Sequence, residues 1–314
     1  MEHLILHHYD FSNYSEKVRL ALGYKGLAWA SVVIPPVLPK PDLTPLTGGY
    51  RRTPVLQIGA DVYCDTRLIL RVLERHAPEP TLYPNGLIGF ATAIAGWAES
   101  ALVHPLILYV SGINQEALPN ELMADRARMR GLPVPSEATV RRAAHRNAPL
   151  TRIQLRLIED MLSDGRQWIC GSRFSFADLT VYHPLWFITA RTDRLKHELA
   201  PFPAILAWMA RVQACGHGRP SPMTSAEALT TARDASPRDP GRSAAHPEDP
   251  PLGSEVTIRP TDYARDDVKG ELVLLTDDEV AILTRDDRVG EMIVHFPRVG
   301  YDMRQRYRGV AEAP

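Results

Sequence analysis

Apolar and polar positions fall into three rhythms along the chain. Over residues 1–80, short apolar runs alternate with amphipathic stretches. Leu4-Ile5-Leu6 reads as a buried strand, residues 15–22 as a helix ended by Gly23, and residues 30–34 as a strand stopped by Pro35-Pro36. Val55-Leu56-Gln57-Ile58, the turn Gly59-Ala60-Asp61 and Val62-Tyr63-Cys64 read as a hairpin, and residues 65–76 carry Leu68, Ile69, Val72 and Leu73 on one helical face. The order is β-α-β, an irregular stretch, then β-β-α. Over residues 86–216 the period becomes that of helices, clearest at 87–110 and 151–162, and Ser175 with Asp178 forms a capping box before a helix that Pro184 should kink. Over residues 253–308 the pattern is all β: strand-like runs at 256–258, 271–275, 280–283 and 291–296 with polar turns between the last three. They predict an antiparallel meander, curled into a small barrel or packed on its neighbour.

Between the second and third rhythms lie seven prolines in residues 217–253. Residues 225–235 have the pattern of a short helix, but 237–253 hold too little apolar area to order around a core, so 217–252 reads as a linker. A softer break falls at residues 78–86. The expected units are therefore 1–80, 86–216 and 253–308, in keeping with 314 residues at roughly 100–200 per domain.

Charge narrows the function. Thirty-six Lys and Arg against 37 Asp and Glu leave a net charge of −1, and residues 254–308 hold 9 basic against 12 acidic groups. Nucleic-acid binding, which needs clustered basic excess, is not expected. Cys64, Cys170 and Cys215 have no metal-ligand or CxxC spacing, and His7 and His8 would point to opposite faces of a strand, so no metal site is expected. Glu2 stands where a secretory signal is basic, and the longest apolar span, 87–98, is too short for a bilayer. A reducing, cytoplasmic setting without a membrane is the expectation.

Three motifs then occur in order: Phe11-Ser12-Asn13-Tyr14-Ser15-Glu16-Lys17-Val18-Arg19, Thr53-Pro54-Val55-Leu56, and Asp65-Thr66. Together they resemble the glutathione transferase superfamily over about residues 1–216, in the serine-type manner of its omega and tau branches. The resemblance implies an α/β thioredoxin-like domain that binds glutathione, followed by an all-helical domain that binds the electrophile, here with an additional small β domain. A long bacterial and fungal branch resembles the chain throughout, including Pro39-Lys40-Pro41-Asp42 and Thr47-Gly48-Gly49-Tyr50-Arg51. Homodimerisation, detoxification, a small hydrophobic electrophile and glutathione as co-substrate are implied likewise.

The resemblance also implies roles. Pro54 would be cis and free the backbone of Thr53 or Val55 to pair with the cysteinyl unit of glutathione. Asp65 and Thr66 would take the γ-glutamyl end, through an ammonium–carboxylate pair and a helix N-terminus respectively. Lys40 would meet the glycyl carboxylate, with Arg51 and Arg52 as alternative cations. Ser12 would hydrogen-bond the thiol, of ordinary pKa about 8.5, and stabilise its anion. Tyr9, Tyr14 and Ser15 are rival hydroxyls, and Ser15 reads more naturally as the N-cap of the first helix. Tyr14, Trp97 and Tyr109 are candidates for the electrophile pocket. Ether cleavage, dehalogenation or isomerisation on the same site, and a non-catalytic scaffold, are the competing readings.

Overall fold

The computed structural model describes residues 3–190, 192–241, 243 and 246–305; residues 306–308 of the expected β unit lie outside them. The first unit runs β1 (Ile5–His8), α1 (Asn13–Tyr24), β2 (Ala28–Val33), α2 (Thr44–Thr47), β3 (Val55–Ile58), β4 (Asp61–Cys64) and α3 (Thr66–His76). β1 pairs in parallel with β2 and antiparallel with β3, and β3 turns at Gly59 into β4. Strand alternation divides the side chains between two cores. Leu6 and Leu56 face α1, α3 and the helical unit; Ile5, Val55 and Val62 face the opposite side.

The helical unit comprises α4 (Ile88–Trp97), α5 (Val103–Ile113), α6 (Asn120–Met129), α7 (Glu137–Leu162), α8 (Phe176–Thr189) and α9 (Pro203–Gln213). A π-helical turn, Ala98–Leu102, joins α4 to α5. The resulting helix, 88–113, passes by length and composition as able to cross a membrane, which the sequence estimate missed because Glu99 interrupts the apolar run. α5 packs on α7 and α8. α8 runs through Pro184 without a break, and its capping box is present: Asp178 accepts from the Ser175 and Ile169 N–H groups and from Trp208 Nε1.

The expected linker folds onto the sheet. β5 (Arg219–Pro222) pairs in parallel with β2, and α10 (Ser225–Arg233) buries Ala228, Leu229 and Ala232 in the second core. A few small apolar residues suffice here because the sheet face already exists. Backbone contacts hold the rest: the Arg238 N–H donates to Asp61 and the Gly253 N–H to the Leu272 carbonyl.

β6 (Glu255–Pro260), β7 (Val268–Leu275), β8 (Glu279–Asp286), β9 (Gly290–Pro297) and β10 (Tyr301–Gln305) form the predicted meander, with β10 added beside β6. The meander does not curl into a barrel. β9 pairs in parallel with the β4 edge, Tyr63 opposite His295, and makes one ten-stranded sheet in the order β10-β6-β7-β8-β9-β4-β3-β1-β2-β5. α2 seals the junction. Gly48 is left-handed (φ 60°), and a methyl there would meet Val268 Cγ1 at 3.0 Å and Thr284 Cγ2 at 3.1 Å. Tyr50 donates or accepts across 2.9 Å to the Tyr301 hydroxyl, and Arg288 binds the Pro41 carbonyl and Asp42.

At the seam between β4 and β9 sits a buried ionic cluster. His295 lies between Asp61 (3.1 Å) and Glu279 (2.8 Å), its ring stacks on Tyr63, and Glu279 also pairs with Arg75 of α3 at 3.0 Å. Burial alone would lower the imidazole pKa, but the hydrogen bonds to Asp61 and Glu279 outweigh it and the net shift is upward. Burial raises the Glu279 carboxyl, and His295 and Arg75 more than reverse that. A raised histidine pKa adds stability fully present below its unfolded value of about 6.5 and lost as pH climbs through the folded value. The melting temperature is therefore expected to fall as pH rises past about 6.5, and His295→Gln to remove that slope while costing about 3 kcal/mol. A wild-type profile flat across this range in calorimetry would contradict a charged His295.

Candidate functional site

The loop after β1 delivers Ser12 to the N-terminus of α1. Arg19, from α1 itself, fixes that loop: it donates to the Tyr9 and Asp10 carbonyls, contacts His8 and pairs with buried Glu16 at 2.8 Å, while His217 holds the other Glu16 oxygen. Ser12 is the N-cap. Its Oγ accepts the Ser15 N–H at 3.1 Å and its own N–H donates to the Tyr9 carbonyl. This corrects the sequence expectation that Ser15 caps the helix; Ser15 lies in the first turn with its hydroxyl buried and without a partner. As an acceptor in the cap, the Ser12 hydroxyl keeps its proton for another acceptor. Asn13 reaches across to His183 of α8 at 3.0 Å.

Two adjoining cavities open beside this loop, of about 200 and 250 Å³. Ser12, Lys40 and Arg51 line the first; Pro54, Asp65 and Thr66 line the second; Tyr14, Arg52, Thr53 and Tyr263 line both. The Thr53–Pro54 peptide is cis. Val55 is registered against His7 and Cys64 within the sheet, so Thr53, outside the ladder, is the residue at the cavity. Asp65 caps α3 from a left-handed backbone (φ 75°), accepting the Arg67 N–H at 2.9 Å and the Tyr301 hydroxyl at 3.3 Å. Beside it, Thr66 opens the helix, whose N-terminal N–H groups favour an anion.

Lys40 is buried and, among the described residues, pairs with no carboxylate: Nζ donates to the Arg51 carbonyl (2.9 Å) and Thr53 Oγ1 (2.8 Å). Burial, then Arg126 and Arg51, lower its pKa to about 7. Arg51 pairs with buried Asp125, which Arg126 also contacts at 2.8 Å. Burial pushes the Tyr14 hydroxyl well above its usual pKa, so it remains a neutral donor.

Trp97 and Tyr109 stand apart from both cavities. The Trp97 ring packs against the helical core, and the Tyr109 hydroxyl donates to Glu198 at 2.5 Å. Periodicity could not separate these core aromatics from pocket ones. Among the residues that went unread in the sequence are Glu99 and Tyr263, which line the second cavity, and Tyr301, whose hydroxyl reaches Asp65. Glu99 sits in the π turn, where Lys17 (3.3 Å) and Arg67 (3.1 Å) keep it ionised against the effect of burial. Its one signal was being the sole carboxylate in the apolar run 87–113. Tyr263 and Tyr301 arrive from the meander, which no local pattern could place. Among the described residues there is no cluster of metal-ligating side chains; His7 and His8 bond to Gln57 and Ser31.

The arrangement offers a carboxylate and a helix N-terminus at one end, a backbone edge in the middle, a hydroxyl donor at a second helix N-terminus, and a lysine beyond it. Comparison with known proteins fits this arrangement. Residues 6–81 match the glutathione S-transferase N-terminal domain and residues 154–211 its C-terminal domain. Comparison with curated proteins gives no match. A GST-like protein from Pseudomonas syringae is 36% identical with a TM-score of 0.78, covering 98% of this chain and 100% of that one. A glutathione S-transferase from Rhodospirillum rubrum F11 (22% identical, TM-score 0.50) covers 67% of this chain and 88% of its own. FzlA from C. crescentus (25% identical, TM-score 0.50) covers 68% and 89%. With both domains matched on the units that build the cavities, and a relative alike from end to end, the chain belongs to the glutathione S-transferase family.

Proposed function

We infer that the protein is a serine-type, glutathione-dependent transferase that stabilises the glutathione thiolate and adds it to a small hydrophobic electrophile. The observation that carries this is the convergence of Ser12, Thr53 and the Asp65–Thr66 helix start on two cavities sharing walls. Glutathione is a zwitterion at its γ-glutamyl end. Asp65, with Glu99 nearby, suits the ammonium; the Thr66 hydroxyl and N–H suit the carboxylate. The Thr53 backbone pairs with the cysteinyl unit and brings the sulfur to Ser12. A hydroxyl donor and the α1 N-terminus together lower the thiol pKa, which raises the nucleophilic fraction near neutral pH. Lys40, with Arg51 behind it, takes the glycyl carboxylate. Holding the thiolate in place leaves the electrophile only to reach it.

The same reading includes a homodimer and a reducing, cytoplasmic setting. α4 buries Ala91 and Ala95 but leaves Ile88 and Phe90 40% and 51% exposed, an apolar face suited to a second copy. Cys64, Cys170 and Cys215 are free thiols.

Three outcomes are expected. Ser12→Ala should lower conjugation of an activated aryl halide tenfold or more, roughly the low end for loss of one anion-stabilising donor; an unchanged rate would exclude Ser12 as the activating group. Lys40 titrates near 7 in the free protein and binds a carboxylate only when protonated. Calorimetry with S-methylglutathione, which lacks a thiol proton, should give level affinity below about pH 6 and a loss approaching tenfold per unit above about pH 7. Lys40→Arg, charged throughout, should flatten that profile, and parallel profiles would remove Lys40 from the site. Finally, Phe90→Glu should convert a dimer to a monomer in sedimentation; a dimer that survives it uses another face.

A further inference from the structure

The loop from β6 to β7 reaches away from its own sheet and ends against the helical unit. The Ala264 N–H, on a left-handed residue (φ 45°), donates to the Met129 carbonyl at the end of α6 at 2.5 Å. Asp262 pairs with Arg52, whose guanidinium also meets the Tyr263 carbonyl and lies 4.1 Å from the centre of the Tyr263 ring. The Arg130 guanidinium approaches the same ring at 5.9 Å. Tyr263 thus stands between the two cavities and lines both, while Asp262 and Thr261 close the outer side of the second.

The first cavity has a distinctive charge pattern. Among the described residues, five cations line it, Lys40, Arg51, Arg52, Arg126 and Arg130, and no carboxylate does. Two carboxylates stand behind three of them, Asp125 against Arg51 and Arg126 and Asp262 against Arg52, so the lining keeps a net positive charge. Lys40 is the glycyl partner in the function inferred above. Arg130, held by the Arg126 carbonyl and the Tyr263 ring, has no carboxylate partner among the described residues. Around it the walls are apolar, with Phe11, Met123, Met129 and Phe187 among them.

We propose that Tyr263 and Arg130 form the electrophile subsite, an aromatic plate with a cation at its edge contributed jointly by the C-terminal sheet and α6, and that it selects apolar, planar electrophiles bearing a carboxylate. Tyr263 supplies stacking area at low entropy cost. Arg130 supplies a planar fork matched to a carboxylate, and none of the described carboxylates pairs with it. The C-terminal sheet is thereby part of the binding site. Its first loop sets which conjugates fit.

The proposal rests on glutathione binding in these cavities, and the test separates the two. Wild-type protein is titrated by calorimetry with glutathione, S-benzylglutathione and S-(para-carboxybenzyl)glutathione. The carboxylated conjugate should bind roughly tenfold tighter than the benzyl conjugate, the scale of one charge-assisted contact. Arg130→Met should collapse that ratio to near one. Tyr263→Leu should weaken both conjugates relative to glutathione, and Tyr263→Phe, which keeps the ring, should preserve the wild-type ratio; melting curves verify that each variant is folded. Glutathione binding with equal affinity for the two conjugates in the wild type, or a preference that survives Arg130→Met, overturns the subsite. Absence of binding by glutathione itself overturns the transferase reading and this subsite with it.

Discussion

The pairing of β9 with β4 is the constraint on which the rest of the molecule depends. β4 would otherwise be a sheet edge with unsatisfied N–H and C=O groups, a standing invitation to another strand. Its closure joins segments more than two hundred residues apart and continues one sheet through both. The Asp61–His295–Glu279–Arg75 cluster gives the seam its register. Buried charges of this kind add little net stability compared with a well-packed apolar core, yet a one-residue slip would strand each of them without a partner. Because β4 leads directly into Asp65, the same seam that holds the meander also holds the start of α3. Tyr263 reaches the cavities and Tyr301 reaches Asp65 from the meander, so their positions follow from it too.

Around the cavities the chain repeats one device: a charged side chain, largely removed from water, ties a loop to a regular element. Arg19 with Glu16 fixes the turn before Ser12, Lys25 with Glu74 fixes the break after α3, and Lys17 with Glu99 and Arg67 joins α1 to the π turn of the helical unit. Each such group is costly to leave unpaired, which makes the paired geometry specific. In the role proposed for Ser12, a donor stabilises an anion well only if it need not reorganise, and these clamps would supply the rigidity.

What was legible in the sequence is what short-range physics determines. The strands and helices of the first unit follow from the period of their apolar residues, and Thr53-Pro54 and Asp65-Thr66 sit where their elements begin. Ser12 and Ser15 show the limit: either hydroxyl makes a plausible cap, and the choice is made by the Ser12 N–H turning back to Tyr9 under the pull of Arg19. The proline-rich segment reads as a linker because composition cannot register that a sheet face lies waiting for Ala228 and Leu229. Pairings between distant segments are invisible to periodicity, so β4–β9, Glu99 and Tyr263 had to come from the fold. Even so, the two motifs shared with the long branch carried a trace of it. Gly48, Tyr50 and Asp42, from those motifs, are among the residues that touch the meander.

The contacts that bind the meander to the molecule differ sharply in strength, and the difference follows the site. At the seam Asp61, His295 and Glu279 are buried, with Arg75 at the exposed end, and the flanking Val294, Phe296 and Ile282 are wholly enclosed. At the β6–β7 loop the ties to the first two units are an ion pair whose Asp262 is more than half exposed, the Arg52 hydrogen bond to the Tyr263 carbonyl, cation–π contacts from Arg52 and Arg130, and one backbone hydrogen bond. Exposed pairs contribute at most about 1 kcal/mol, and loops held this way occupy the low end of a protein's stability range. Covering the cavities excludes water and strengthens every charge-assisted contact inside them. In the conjugation proposed above, a wall both covering and lightly held would let two reactants enter and a larger product leave. The strongly held seam is what allows that wall to be weak without the sheet coming away.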